Sequence, residues 1–188
     1  MHTQDPAVPS DPVTDAALAA RAGDPAAAAR FVRATQVDVW RLCAHLGDPG
    51  ETQDLAQEAY LRAFRALPAF AGRSGARTWL LAIARRVCAD AVRERRRRPR
   101  TDLTGDVPDA PGPGPDLGEG VALRQAVGAL HPDRRDAFVL TQLVGLSYPE
   151  AAGVCGCPVG TIRSRVARAR SDLVDLVRDE RLSVPRPG

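Results

Sequence analysis

Arginine is the residue type with the clearest chemical purpose in this sequence of 188 residues, and it falls in two clusters. All 26 basic residues are arginines, and each guanidinium group can donate two parallel hydrogen bonds to a phosphate. One cluster places four arginines in the eight residues from Arg163 to Arg170, and the other places six among residues 93–100. A GC-rich genome would explain why lysine is missing, and a solvated helix end would explain part of the second cluster. Because so many like charges repel one another, we favour a polyanionic ligand.

The first cluster lies in a segment with the features of a helix-turn-helix. Ser147 can cap a short helix, Gly156 permits a tight turn, and Pro158 suits the first turn of a longer helix. Ala152 is small enough to let the two helices pack closely. These features predict that the longer helix is a DNA recognition helix. The alternative is an ordinary amphipathic helix with a solvated basic face.

The predicted recognition helix has two distinct sides. Its buried side is predicted from apolar residues that recur at helical spacing: Ile162, Val166, Ala169 and Leu173. The opposite side carries Thr161, Ser164 and Arg168, and three further arginines flank it: Arg163, Arg165 and Arg170. Short polar groups and arginines are the residue types that contact base edges and phosphates in the major groove.

Composition and periodicity predict an all-α protein with two small helical domains. Hydrophobic residues make up 44% of the chain and aromatic residues only 4%, which favours helices with cores of alanine, leucine and valine. Helical periodicity extends over residues 14–98 and 119–180. Residues 99–118 contain five prolines, four glycines and four aspartates, a composition typical of a flexible linker. Residues 1–13 and 181–188 are predicted to be tails.

Several helix boundaries can be predicted from capping residues. We expect the first helix to begin near Thr14 or Asp15, because either side chain can cap it. Ser74 or Thr78 is the predicted cap of the helix that leads into the second arginine cluster. Asp133 is the predicted cap of a helix in the second domain.

The helix that follows the turn at residues 47–50 is predicted to have one buried face and one mostly polar face. The buried face is a stripe of residues at helical spacing: Leu55, Ala59, Tyr60, Ala63, Phe64 and Leu67. The other face contains Asp54, Gln57, Glu58, Leu61 and Arg65.

The sequence gives no sign of an enzyme, a metal site or a membrane protein. It contains no phosphate-binding loop, no nucleophile–base pair and no metal-ligand spacing, so we predict no catalytic residue, metal or cofactor. The cysteines are expected to be small buried residues in a reducing cytosol: Cys43, Cys88, Cys155 and Cys157. The N-terminal segment lacks the features of a signal peptide, and no stretch has the length of a membrane span. We therefore expect a cytoplasmic protein without membrane insertion.

Three segments resemble the extracytoplasmic-function (ECF) sigma factors of bacterial RNA polymerase. DLAQEAYLRAFRALPAF and GARTWLLAIARRVCADAVR resemble their region 2, and GLSYPEAAGVCGCPVGTIRSRVARARSDL resembles their region 4. The order of the segments, their spacing and the proline-rich linker match as well, and within the family the resemblance is to the mycobacterial sigma C type. The resemblance implies a non-enzymatic subunit that binds core RNA polymerase, recognises the minus-35 and minus-10 promoter elements and promotes DNA melting.

The resemblance also implies roles for individual residues. The contact with the clamp helices of the polymerase β′ subunit would contain Asp54, Leu55, Gln57 and Glu58. Such a mixed acidic and amide face with one leucine suits docking on a basic coiled coil. The minus-10 contacts would be Phe70, Arg73, Arg77, Trp79, Arg85, Arg86 and Arg93. The minus-35 contacts would be Thr161, Arg163, Ser164, Arg165 and Arg168.

The loop from Phe70 to Thr78 resembles the family's minus-10 loop, which captures a flipped base of the non-template strand. Trp79 follows this loop, and we favour core packing over strand separation as its role. The resemblance also implies the β flap of the polymerase as a partner. Whether an anti-sigma factor is a partner is left open by the sequence. A helix-turn-helix regulator that binds duplex DNA without the polymerase is the alternative function, and it would not require the first domain.

Overall fold

The computed structural model describes residues 11–97 and 117–183, and within these ranges it contains helices and turns but no strand. The chain divides into two compact units, Met1–Pro99 and Arg100–Gly188. The predicted fold class, all-α with two small helical domains, is confirmed. Among the described helices, none is long and apolar enough to cross a membrane.

Most of the predicted tails and linker lies outside the described residues, which omit 1–10, 98–116 and 184–188. Of the few predicted tail and linker positions that the structure describes, all but the cap residue Asp11 are helical. Pro12 and Val13 belong to the first helix, and Leu117 begins the first helix of the second unit. Helical structure therefore extends a few residues beyond the predicted boundaries.

The described part of the first unit contains four helices: α1 (Pro12–Arg21), α2 (Pro25–Leu46), α3 (Thr52–Ala66) and α4 (Ala76–Arg97). Short 3-10 turns at Pro49–Glu51 and Leu67–Ala69 flank α3. The largest fully buried side chains of this unit are Phe31, Val39, Leu42, Leu80 and Leu81. Burial of these apolar groups by α2 and α4 is the main stabilising contribution to the unit.

Helix α1 begins earlier than predicted because its cap is Asp11. The carboxylate accepts hydrogen bonds from the backbone N–H groups of Val13 (2.9 Å) and Thr14 (3.0 Å), and Pro12 occupies the first turn. Burial alone would raise the pKa of Asp11, but the hydrogen bonds from Thr14 and Val13 outweigh it, so the pKa is lowered. The cap is therefore charged at neutral pH.

Helix α4 also begins earlier than predicted. Thr78 lies inside the helix and Ser74 precedes its first turn, so neither residue is its cap. The N–H of Ala76, the first helical residue, donates instead to the hydroxyl oxygen of Thr14 on α1 (2.9 Å). This cap comes from a distant part of the chain, and no local pattern could reveal it.

The predicted apolar stripe of α3 is correct except at its aromatic residues. Leu55, Ala59, Ala63 and Leu67 are buried as predicted. Tyr60 is half-buried, and its hydroxyl lies 2.8 Å from the hydroxyl of Thr35 on α2. The side chain of Phe64 is 37% exposed, so its assignment to the core was wrong.

The cysteines divide into two pairs, of which only one is buried. Cys43 and Cys88 are buried on α2 and α4, and their sulfur atoms lie 3.8 Å apart as free thiols. The hydrogen bond with Cys88, together with burial, raises the pKa of the Cys43 thiol. Cys155 and Cys157 are only half-buried, contrary to the prediction.

The described helices of the second unit are α5 (Leu117–Ala129), α6 (Pro132–Phe138), α7 (Tyr148–Cys155) and α8 (Val159–Ser183). A π-helical turn, Val139–Leu143, continues α6. The largest fully buried side chains of the second unit are Val127, Val139, Leu140, Ile162 and Val166. Asp133 does not cap α6 with its side chain, which forms an ion pair with Arg165 on α8 instead.

Candidate nucleic-acid and protein interface

Helices α7 and α8 form the predicted helix-turn-helix. The hydroxyl of Ser147 accepts the N–H of Glu150, and the Glu150 carboxylate accepts the N–H of Ser147 (2.8 Å), which is a complete capping box. Gly156 ends α7 in the left-handed region with φ of 65°, where glycine is favoured. Ala152 is buried. The turn is thus built from the residues that the sequence indicated.

Helix α8 buries one side and exposes the opposite side to solvent. Ile162, Val166 and Ala169 are fully buried, whereas Arg163 and Arg168 are exposed. Neither of these two arginines has a hydrogen bond or ion pair with any residue that the structure describes. Both guanidinium groups are therefore available to an external anion.

The other predicted minus-35 residues are bound within the protein to different degrees. Ser164 is exposed, and its hydroxyl donates to the carbonyl oxygen of Thr161 (3.0 Å). Thr161 itself is half-buried. The Arg165 side chain is only 24% exposed, pairs with Asp133 and lies 3.8 Å from the sulfur of Cys157. The sequence assigned Arg165 to DNA, but the structure shows it joining α8 to α6.

Helix α4 carries arginines of two kinds. Arg86 is exposed and has no partner among the described residues, whereas Arg85 is half-buried and interacts within the protein. Arg93 is exposed and forms an ion pair with Asp90. Arg95 binds Asp48 and Glu51, with a distance of 2.7 Å to Glu51. Two of the six arginines of the second cluster, Arg93 and Arg95, are therefore paired with the protein's own carboxylates.

Asp90 connects the arginines of α4 to α3. Its carboxylate accepts a hydrogen bond from Arg62 (2.8 Å) as well as the one from Arg93, and Arg62 also donates to Glu58 (2.7 Å). The hydrogen bond from Arg62 is the main cause that lowers the pKa of Asp90. Neither Arg62 nor Asp90 was predicted as a site residue, although the spacing of Glu58 and Arg62 is typical of a helical ion pair.

Phe70 does not lie on the surface that the sequence analysis assigned to it. Its side chain is 4% exposed, and its ring packs against that of Trp79 with centroids 4.7 Å apart. Trp79 is half-buried, which agrees with the favoured role in core packing. Phe70 therefore has no open aromatic face on which a flipped base could stack.

Of the two arginines assigned to the minus-10 loop, one is paired within the protein and the other is open to solvent. Arg77 donates to Asp38 of α2 (2.7 Å), and the Asp38 side chain is only 16% exposed. Arg73 is exposed and has no partner within the described ranges. Only Arg73 is thus open to an external phosphate.

The polymerase contact that the resemblance placed on α3 contains one buried residue. Asp54 and Gln57 are exposed and Glu58 is half-buried, but Leu55 is 7% exposed and packs directly against Gly47. Leu55 is therefore not open to a partner, which agrees with its place in the predicted apolar stripe. Leu61, which the sequence placed on this side, is 45% exposed, and Phe64, which the sequence placed in the core, is 37% exposed. Both follow Gln57 at helical spacing. The name α3 face is used below for four exposed residues on this side of the helix: Asp54, Gln57, Leu61 and Phe64.

Comparison with known proteins gives the same division of the chain. The family model of sigma-70 region 2 matches residues 31–98, and that of sigma-70 region 4 matches residues 120–173. The chain is 52% identical over 166 residues to the probable RNA polymerase sigma-C factor of Mycobacterium bovis, covering 86% of this chain and 89% of the relative. It is 36% identical over 178 residues to the ECF RNA polymerase sigma-E factor of Escherichia coli, covering 86% and 93%.

Two solved structures have folds similar to that of this chain. The structure of CnrH in complex with the cytosolic domain of CnrY matches with a TM-score of 0.73 and 25% identity, over 90% of this chain and 99% of that chain. The sigma factor RpoE of Bartonella quintana, solved with the anti-sigma factor NepR, matches with a TM-score of 0.69 and 27% identity, over 79% and 95%. The expected resemblance to the mycobacterial sigma C type is confirmed. The chain belongs to the ECF sigma factors and is an alternative sigma factor of RNA polymerase.

Proposed function

We propose that residues 14–98 bind core RNA polymerase and the minus-10 element, and that residues 119–180 bind the minus-35 element and the β flap. The observation that carries the DNA-binding part is the division of the arginines into open and paired groups. Arg163 and Arg168 project from α8 without a partner in the described part of the chain. They can bind DNA without first breaking an internal ion pair.

The minus-35 contact is proposed to centre on Arg163 and Arg168. Arginine in the major groove can donate two hydrogen bonds to guanine or bind the phosphate backbone. Ser164 already donates its hydroxyl proton to Thr161, so its oxygen would act as an acceptor toward DNA. Arg165 supports the helix from behind through Asp133.

The minus-10 contact is proposed to use Arg86 on α4 and Arg73 in the loop, because both are open. Arg93 would join them after leaving Asp90, since an ion pair this exposed is weak and a phosphate can compete for it. The other residues that the resemblance assigned here would hold the surface in place: Phe70, Arg77, Trp79 and Arg85.

The polymerase contact is proposed to be the α3 face. Asp54 and Gln57 supply polar groups, and the exposed Leu61 and Phe64 supply apolar area next to them. Exposed aromatic groups beside charged ones are typical of protein interfaces. Glu58 would contribute while keeping its ion pair with Arg62.

We infer three further properties from the family. The structurally similar sigma factor RpoE was solved with the anti-sigma factor NepR, so an anti-sigma factor is a proposed partner here as well. The protein is proposed to be non-enzymatic. It is proposed to act in the cytoplasm, where bacterial RNA polymerase is found.

Transcription with purified components tests the proposed function. Core polymerase is combined with this protein on a genomic DNA library, and the start sites are mapped. We expect a limited set of start sites that share two upstream elements and need no ATP hydrolysis for opening. Duplex binding without any protein-dependent transcript would instead favour a helix-turn-helix regulator.

A charge reversal tests the α3 face. Asp54→Arg should weaken core binding by about tenfold or more, because it places a cation against a basic surface. Asp175→Arg is the matched control, since Asp175 is also an exposed helical carboxylate without a partner among the described residues. Equal core affinity for both variants, with unchanged helix content, would contradict the assignment.

A further inference from the structure

One face of α1 follows the loop that precedes α4 from end to end. Thr14, Leu18 and Arg21 are spaced at i, i+4 and i+7, so they lie on the same side of the helix. A guanidinium nitrogen of Arg21 donates to the carbonyl oxygen of Phe70 at the start of the loop (2.6 Å). The hydroxyl oxygen of Thr14 accepts the N–H of Ala76 at its end (2.9 Å).

The middle of the loop lies against the same face. The two methyl groups of Leu18 lie 3.6 Å from the position that a Cβ atom would take at Gly72. Gly72 has φ of 69°, a left-handed conformation that side-chain-bearing residues rarely adopt. The loop backbone is therefore held at both ends and supported at its turn.

Asp11 orients the hydroxyl of Thr14 for this contact. The hydroxyl donates its single proton to the Asp11 carboxylate, so its oxygen lone pairs remain for the N–H of Ala76. Asp11 thus caps α1 directly and supports the start of α4 through Thr14. A second fixation of the same loop end comes from α2, where Asp38 binds Arg77.

The fixed loop presents Arg73, which lies between the two held ends and is exposed. A loop that is ordered before binding loses less conformational entropy when it binds its ligand. The family model of sigma-70 region 2 begins at residue 31, so α1 lies outside the matched segment.

We propose that Asp11, Thr14 and Arg21 are positioning residues that preorganise the minus-10 loop for capture of the melted strand. They act through the loop backbone and do not touch DNA themselves. The proposal rests on the proposed function, in which Arg73 and its loop meet the non-template strand. Loss of these hydrogen bonds should weaken strand capture while the α3 face and α8 keep their own contacts.

The test uses holoenzyme assembled from core polymerase and the full-length chain. The probe is a fluorescent single-stranded oligonucleotide with the non-template strand of the strongest promoter mapped in the library experiment. Thr14→Val keeps the shape of the side chain and removes the hydroxyl, and Arg21→Met keeps the stem and removes the donors. Thr14→Ser restores the hydroxyl. Arg30→Met is the matched control, because Arg30 forms only an exposed ion pair with Asp24.

Thr14→Val and Arg21→Met should each lower the affinity for the strand by about fivefold, the effect of one ordinary hydrogen bond. Thr14→Ser and Arg30→Met should bind as the unmodified protein does, and all variants should bind core polymerase and minus-35 duplex equally. Unchanged strand affinity of both variants, failure of serine to restore it, or a parallel loss of core affinity would overturn the proposal. If the unmodified holoenzyme does not bind the strand at all, the proposed function fails instead.

Discussion

The two units differ in the share of their predicted DNA-contacting arginines that is paired within the protein. On α8 the side chains of Arg163 and Arg168 are open to solvent, whereas Arg165 binds Asp133 of α6 and Arg170 binds Gln142. On α4 and its loop, Arg77 and Arg93 are paired with acidic residues of the same unit. A charged residue contributes to DNA affinity only by the difference in free energy between its contacts with DNA and its contacts within the free protein. The second unit should therefore bind duplex DNA through preformed contacts, and the first unit should combine the open Arg73 and Arg86 with exchange of the Arg93 ion pair for DNA.

The largest expected effect concerns Phe70, which is buried in the first unit rather than open to DNA. Phe70→Ala should lower the free energy of unfolding of the first unit by about 3–5 kcal/mol, because it removes a buried aromatic ring. Both tryptophans of the chain, Trp40 and Trp79, belong to this unit, so tryptophan fluorescence during denaturation reports on it. A variant of normal stability that fails to bind the melted strand would restore Phe70 as a base-capturing residue.

The next effect concerns the open arginines of α8. Arg163→Ala and Arg168→Ala should each weaken promoter binding by about 1–3 kcal/mol if the side chain contacts a base. A residue that contacts only phosphate would instead reduce the salt slope of binding by about one unit on every sequence. Arg178→Ala, at an exposed position near the end of the same helix, is the control. Equal losses for all three would mean that α8 acts only through its overall charge.

Variants of Arg165 and Arg168 distinguish an arginine that positions α8 from an arginine that contacts DNA. Arg165→Met should lower the free energy of unfolding of the second unit by about 1 kcal/mol through loss of the partly exposed pair with Asp133. Its effect on the salt slope should be small. Arg168→Met is the matched variant and should show the reverse, with reduced DNA affinity and unchanged stability. Helical circular dichroism during thermal unfolding and anisotropy titrations at several salt concentrations measure the two quantities.

The smallest effect concerns Asp90, which holds Arg93 in the first unit. Asp90→Asn removes the carboxylate charge, so Arg93 becomes free for a phosphate. Binding of holoenzyme to a minus-10 duplex should become a few times tighter, within about 1 kcal/mol, because the lost ion pairs are exposed. The salt slope should rise by up to about one unit. Weaker binding would mean that Asp90 positions Arg93 for DNA instead of competing with DNA for it.

Local sequence was enough to predict the helix-turn-helix and the buried side of its second helix. The capping box of Ser147 and Glu150, the left-handed turn at Gly156 and the buried stripe of α8 depend on residues within a few positions of one another. The physical reason is that capping and amphipathic periodicity are short-range properties of the backbone. The family resemblance carried the functional class, and the comparisons confirmed it.

Tertiary structure alone decided which predicted site residues are open. Arg165 meets Asp133 across 32 positions of sequence, and Arg77 meets Asp38 across 39. The same holds for the start of α4, whose first N–H is bound by Thr14, 62 positions earlier. Composition and spacing identify a guanidinium group or a hydroxyl, but they do not give the distance to its partner. That distance is fixed only when the helices pack, and it determines which arginines remain available for DNA.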